Sequence, residues 1–263
     1  MQPLALLDSA AVWLSLLGVA WLALALIAGP LLNNPRGEVI TGLAYLSTRI
    51  YVRLVHRLRI VGIEHVPISR TPGPLVVVAN HTSGVDPMLI QSAVTFEIRF
   101  MMARDMQPAI LEPLWKWMGV IGVDRSAPHG DTRAARDAIR FLQSTGEVGP
   151  AGVVNSGVIG IFPEGGIERP PRQLLPFLPG IGLLIHKSGA RVLAVVIEGA
   201  PNSSSAWGSL FMRSRASLRF LPLIDYKAAG MKPAEIAGDL QNRFLAATGW
   251  DLNARPSIRD IRA

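Results

Sequence analysis

The residues with the most chemical content lie between Leu75 and Ile90, in LVVVANHTSGVDPMLI. An apolar run that reads as a buried strand ends at Asn80, and His81 follows at its carboxyl end, where open α/β sheets place their ligands. Asp86 stands five residues on. Within one helix the two side chains would point ~140° apart and could not touch. A turn at Ser83 and Gly84 removes the difficulty: Asp86 then opens a helix whose first residue is Pro87, and its carboxylate folds back toward the imidazole. A carboxylate bonded to one ring nitrogen fixes the tautomer and leaves the other nitrogen as a general base. The same two residues also suit a plainer arrangement, in which Asp86 caps the helix and His81 is a satisfied loop histidine.

Two further stretches end strands with polar residues. In VIGIFPEGGIER, Val158 to Arg169, a strand runs into Pro163, Glu164, Gly165 and Gly166, a turn whose missing Cβ atoms let backbone N–H groups approach a ligand. There Glu164 can accept from hydroxyls, and Arg169 can grip phosphate with two parallel hydrogen bonds. In GVIGVDRS, Gly119 to Ser126, Arg125 stands where a phosphate could dock. Taken singly, each stretch is equally an ordinary strand-to-loop turn with solvated charges.

The elements that must position these residues follow an α/β pattern from Leu58 onward. Candidate strands are Arg59 to Ile63, Leu75 to Ala79, Ile98 to Ala103, Val120 to Val123, Val158 to Phe162, Val192 to Ile197 and Ala216 to Leu221. Candidate helices are Pro87 to Phe96, Asp131 to Ser144 with Asp131 as its cap, Gly180 to Ser188, and Pro233 to Thr248 with Gly249 as its stop. The expected fold is a mixed, largely parallel sheet flanked by helices. The glycine-rich stretch Gly146 to Gly157 reads as a surface loop, and the chain after Trp250 as a frayed tail.

The chain of 263 residues has a net charge of +7, only 17% charged residues, 49% hydrophobic residues and no cysteine. Disulfides, thiolate catalysis and cysteine-ligated metal are thereby excluded. From Ala10 to Leu32 there is no charged residue, which matches the ~20 residues that cross ~30 Å of hydrocarbon. A cleaved signal peptide would begin with basic residues, whereas the charge here is Asp8. Beyond the run come Arg36, Arg49, Arg53, Arg57 and Arg59 against Glu38, so the basic bias assigns the carboxyl-terminal side to the cytoplasm. Between Glu38 and Arg59, Val39, Leu43, Leu46, Ile50 and Leu54 form an apolar stripe beside Arg49, Arg53 and Arg57, a basic amphipathic helix suited to anionic headgroups. Three parts are therefore expected: a membrane and amphipathic segment at 1–58, an α/β domain at 59–250 and a tail at 251–263. The basic pI of about 10.5 comes with no nucleic-acid motif.

In company, these blocks carry a resemblance. NHTSGVDP is similar to the histidine, four residues, aspartate block of the glycerolipid acyltransferases, IFPEGG to their Phe-Pro-Glu-Gly block, and GVDRS to the arginine block between them. Arg104 stands where that family often has lysine, and LLPFLPGIG and VLAVVIEG echo its later blocks; the likeness runs from about Gly62 to about Pro201. The resemblance implies transfer of a fatty acyl chain from acyl-CoA or acyl-carrier protein to the free hydroxyl of a lysophospholipid, foremost 1-acyl-sn-glycerol-3-phosphate to give phosphatidic acid. It implies His81 as general base and Asp86 as its orienting partner. Glu164, Gly165 and Gly166, with Arg104, Arg125 and Arg169, would hold headgroup and phosphate. It implies no tightly bound cofactor and no metal, the acyl thioester being a co-substrate, and a place on the cytoplasmic face of the cell membrane. Where the family usually continues with threonine and a basic residue, this chain has Gly166 and Ile167, which leaves lyso-ornithine lipid or glycerol-3-phosphate as further acceptors. A lipid hydrolase would need a serine elbow of the Gly-x-Ser-x-Gly type that is not found; a non-catalytic lipid-binding protein with the same fold is the other alternative, against which the joint presence of His81, Asp86 and Glu164 argues.

Overall fold

The computed structural model describes residues 3–127, 130–149, 152–167, 171–203, 205 and 207–253. Helix α1 (Pro3–Leu32) contains the apolar stretch Ala10–Leu32, 23 residues of mean hydropathy 2.3, none of them buried. It is long and apolar enough to cross a bilayer. Asn34 turns the chain after it, its side-chain amide donating to the carbonyls of Leu31 and Glu38, both at 2.9 Å. Helix α2 (Val39–Val55) then packs back against α1 at Gly42, where a Cβ would fall 1.7 Å from the Leu31 carbonyl oxygen. Only glycine allows that crossing.

The α/β part of the chain follows as β1 (Arg59–Val61), β2 (Leu75–Ala79), α3 (Asp86–Ala93), β3 (Arg99–Ala103), α4 (Glu112–Trp117), β4 (Ile121–Val123), α5 (Thr132–Gln143) and β5 (Val158–Ile161). It is completed by β6 (Gln173–Leu174), α6 (Gly180–Ser188), β7 (Arg191–Glu198), β8 (Ser217–Phe220), α7 (Pro233–Thr248) and β9 (Asp251–Leu252). The main sheet has seven strands in the order β1-β8-β7-β2-β5-β3-β4, parallel except where β8 meets β7. Strand β2 is buried throughout because both its faces are covered, as its unbroken apolar sequence requires. Leu75, Val77 and Ala79 face Leu89, Ile90 and Val52 of α3 and α2, while Val76 and Val78 face Leu142, Ile181, Leu240 and Phe244 of α5, α6 and α7.

Reversal at β8 has a geometric result. Ser217 at the start of β8 pairs with Glu198 at the end of β7 and with Arg59 at the start of β1. The end of α2 and the start of β1 therefore lie on the rim where the parallel strands β7, β2, β5, β3 and β4 end.

The structure bears out the largely parallel α/β fold and adjusts its details. Helix α3 begins at Asp86 with Val85 before it, so Asp86 occupies the first helical position and Pro87 the second. The amphipathic helix stops at Val55; Arg57 adopts a positive φ of 44°, which turns the chain into β1. Arg49 is not part of a free basic stripe, since its Nε donates to the Ser92 carbonyl at the end of α3. Helix α4 and the small β6–β9 sheet lie outside the expected elements. The start of the expected tail is ordered: Asp251 and Leu252 pair with Gln173 and Leu174, and the Asn253 N–H donates to the Leu174 carbonyl. Its remainder falls outside the described residues. The described part of the 146–157 stretch folds back on itself, with Val148 bridged to Val154.

Candidate active site

Asn80 ends β2 by extending its ladder with a side chain. Its amide donates to the Ile197 carbonyl at 2.9 Å and accepts from the Ile197 N–H at 2.8 Å, so the loop that follows hangs from β7. The next residue is His81, and the turn through Ser83 and Gly84 brings Asp86 beneath it. Asp86 is fully buried, and its Oδ2 lies 2.9 Å from His81 Nδ1. The same oxygen accepts from the N–H groups of Thr82 at 2.7 Å and Ser83 at 2.8 Å, while Oδ1 accepts from Thr82 Oγ1. Three further donors hold the carboxylate, so Nδ1 donates to it and Nε2 is left as the acceptor nitrogen. Among the described residues Nε2 has no hydrogen-bond partner, and the imidazole side chain keeps 20% of its surface exposed.

The plane of the ring is fixed from one side by Phe162, stacked at 4.2 Å between centroids and 19° between planes, with Phe100 stacked behind it at 6.1 Å. Phe162 opens the Phe-Pro-Glu-Gly block that carries Glu164, though the sequence pattern attached no role to its ring. Glu164 is buried, its Oε1 accepting from the His81 N–H at 2.7 Å and its Oε2 from the Leu175 N–H at 2.8 Å. Its two oxygens thus tie the histidine loop to the segment leading into α6, which is a different use from accepting substrate hydroxyls. Gly165 takes a φ of +69°, and a Cβ there would meet Leu178 at 2.9 Å; Gly166 is buried beside it. Arg169 lies outside the described residues.

The arginines lie on the same rim further along the sheet. Strands neighbour one another in the order β2, β5, β3, β4 at ~4.8 Å per step, so the ends of β3 and β4 stand roughly 10 and 14 Å from that of β2. Arg104 follows β3 and is exposed; Arg125 follows β4 and is bound bidentately by Asp105. A cleft of about 250 Å³ opens between these blocks and the start of α5, lined by Arg104, Asp124, Asp131, Thr132 and Arg133. Hydrogen bonds from the Ser126 hydroxyl and N–H hold the Asp124 carboxyl below the usual range, and the N–H groups of Ala134 and Asp124 do the same for Asp131, the cap of α5. The cleft therefore carries both signs of charge. His81, Asp86 and Glu164 are joined directly, whereas Arg104 and Arg125 share their rim without touching them.

A family model described as Acyltransferase matches residues 57–198, a little over half of the chain. No curated protein matches it. Among solved structures it is similar to the crystal structure of the 1-acyl-sn-glycerophosphate (LPA) acyltransferase PlsC from Thermotoga maritima, at 21% identity and a TM-score of 0.61, over 81% of this chain and 80% of that one. That likeness is one of fold.

Proposed function

The chain belongs to the acyltransferase family, and from that premise we propose that it moves a fatty acyl group from an acyl thioester, acyl-CoA or acyl-carrier protein, to the free hydroxyl of a lysophospholipid at a membrane surface. The observation that carries this reading is His81 Nε2, without a hydrogen-bond partner among the described residues at an open sheet rim, while Nδ1 is locked by buried Asp86. Nε2 takes the hydroxyl proton as the alcohol oxygen attacks the thioester carbonyl carbon. The imidazolium, balanced by Asp86, returns that proton to the sulfur as the carbon–sulfur bond breaks, giving ester and thiol. Neither an acyl-enzyme nor a serine nucleophile is needed.

Helix α1 anchors the chain, with the domain on the cytoplasmic side by the arginine bias of the residues that follow it. Anchoring matters energetically, since drawing an acyl chain into water costs ~0.8 kcal/mol per methylene. The foremost acceptor is 1-acyl-sn-glycerol-3-phosphate, its phosphate met by Arg104 and by Arg125 once Asp105 yields it. The Asp105–Arg125 pair itself favours a second reading, a lysolipid lacking a phosphomonoester, such as lyso-ornithine lipid.

The test is to incubate the full chain in lipid nanodiscs with labelled acyl-CoA or acyl-carrier protein and a panel of lysolipids. Labelled diacyl product supports the reading and its acceptor preference decides between the two headgroups. Release of free fatty acid alone would mark a hydrolase.

A further inference from the structure

The loop after β7 and the end of α2 build a surface that the transfer chemistry does not use. Tyr51 donates its hydroxyl to the Leu210 carbonyl, Ser214 donates its N–H to the Val55 carbonyl, Ala216 to His56, and Arg59 to Ala216. These bonds lay residues 210–216 alongside 51–59. Phe211 is 89% exposed and is followed by exposed Met212, while Leu54 of α2, 71% exposed, lies between Tyr51 and Val55, the residues bonded to Leu210 and Ser214. Arg53, Arg57, Arg59, Arg213 and Arg215 belong to these two paired segments; all are exposed, and among the described residues none has a carboxylate partner. Two segments more than 150 residues apart in sequence thus bring these guanidinium groups and an exposed aromatic side chain to one corner.

We propose that this corner is a docking surface for an anionic lipid layer, Phe211 and Met212 entering the acyl boundary while the five arginines take headgroup phosphates. Charge complementarity points to that occupant: each arginine near an anionic surface adds attraction, and an exposed aromatic tip gains only where it leaves water. Continuity points the same way, because Leu54 ends the exposed stripe of Ile40, Leu43 and Ile50 along α2. An acidic carrier protein would be drawn by the arginines but has no need of Phe211. The corner lies on the rim that holds His81, so its docking seats the reacting nitrogen at headgroup depth. The inference rests on the membrane reading of α1 and not on acyl transfer.

The chain has no cysteine, so single labels can be placed freely. The full chain bearing Phe211→Cys carries an environment-sensitive fluorophore and is reconstituted into vesicles of phosphatidylglycerol and phosphatidylcholine, or of phosphatidylcholine alone. Control labels sit at Leu17 in α1 and at exposed Glu147. The Phe211 label is expected to shift to the blue and be quenched by shallow nitroxide lipids only with phosphatidylglycerol, while Glu147 stays in water. Neutralising Arg213 and Arg215 to Gln in that labelled chain should lower the ratio of docked to undocked corner on the order of 30-fold. High salt should do the same without any substitution. A Phe211 label that stays in water while Leu17 is immersed overturns the proposal alone, as does immersion indifferent to lipid charge or shielding only on adding acyl-carrier protein. Leu17 in water would overturn the membrane reading beneath it.

Discussion

The side chain of Glu164 holds the main chain of His81: Oε1 accepts the His81 N–H at 2.7 Å, and Oε2 accepts the Leu175 N–H at 2.8 Å. Its place in the candidate site is thus to fix where the imidazole begins. Glu164→Gln keeps the volume but turns an amide NH₂ toward one of two N–H donors, leaving a buried donor unsatisfied at ~1–3 kcal/mol. The expected outcome is a lower melting temperature and a kcat reduced at least ~10-fold, with the acceptor KM little changed. A raised KM with unchanged kcat and stability would instead make Glu164 a headgroup ligand.

Replacing His81 by Ala removes the proposed proton acceptor while sparing the fold, since the ring is partly exposed. Turnover should fall by ~10²–10⁴-fold or more. Single-turnover transfer from labelled thioester, with circular dichroism on the same sample, checks this, and retained activity would exclude His81 as the base.

Arg104 and Arg125 differ in what they must give up to bind phosphate. Arg125 has to leave Asp105, whereas Arg104 has no such partner among the described residues. Arg104→Ala should therefore raise the acceptor KM by ~10-fold or more, the worth of a charge-assisted hydrogen bond, and Arg125→Ala by less. Equal and negligible effects on KM would remove both from headgroup binding.

Arg36 joins the α1–α2 turn to the domain through a bidentate pair with Glu97, a hydrogen bond to the Trp117 carbonyl and a position 5.0 Å over the Trp117 ring. Glu97 is well covered, and the pairing raises the Arg36 pKa above its ordinary value. Removing Arg36 alone leaves a largely buried carboxylate and should cost ~2–4 kcal/mol. The Arg36→Ala/Glu97→Ala double variant should lose less than the two single losses added, in a denaturant double-mutant cycle.

His56 is buried between Ser214 Oγ and Tyr51 Oη, each at 2.9 Å, and burial lowers its pKa below 6.5. Tyr51 donates to Leu210, so His56 donates from Nε2 and accepts at Nδ1. The unfolded chain then binds the proton more readily than the folded one. The stabilisation is complete above pH ~6.5 and is lost as pH falls from there toward the lowered value. Melting temperatures at pH 7.5 and 5 should show a drop in the native chain that shrinks in His56→Gln.

Strand β2 and helices α6 and α7 have the expected bounds because their apolar runs and their glycine or proline stops are local features. The His81–Asp86 contact was legible for a similar reason, both partners belonging to one turn. The His81 and Leu175 N–H groups that Glu164 accepts from were not legible, since backbone N–H groups carry no mark in the sequence. Asp105 as the partner of Arg125, and Phe162 as the floor of the imidazole, depend on which strands become neighbours. So does the reversal at β8, whose short apolar run has no direction of its own. Helix α4 is one and a half turns held by Arg36 and by Trp115 against Trp207, contacts supplied from elsewhere in the chain.

That reversal bears on how catalysis is counted. With β8 antiparallel to β7 and β1 parallel to β8, the exit of α2 and the imidazole share one rim, and a uniformly parallel order would have put them a strand length apart, ~17 Å. Under the proposed transfer at a membrane surface, the acceptor reaches Nε2 by lateral diffusion in two dimensions. Velocity follows its mole fraction within the leaflet, so inert phospholipid slows the enzyme by surface dilution where extra buffer leaves it unchanged.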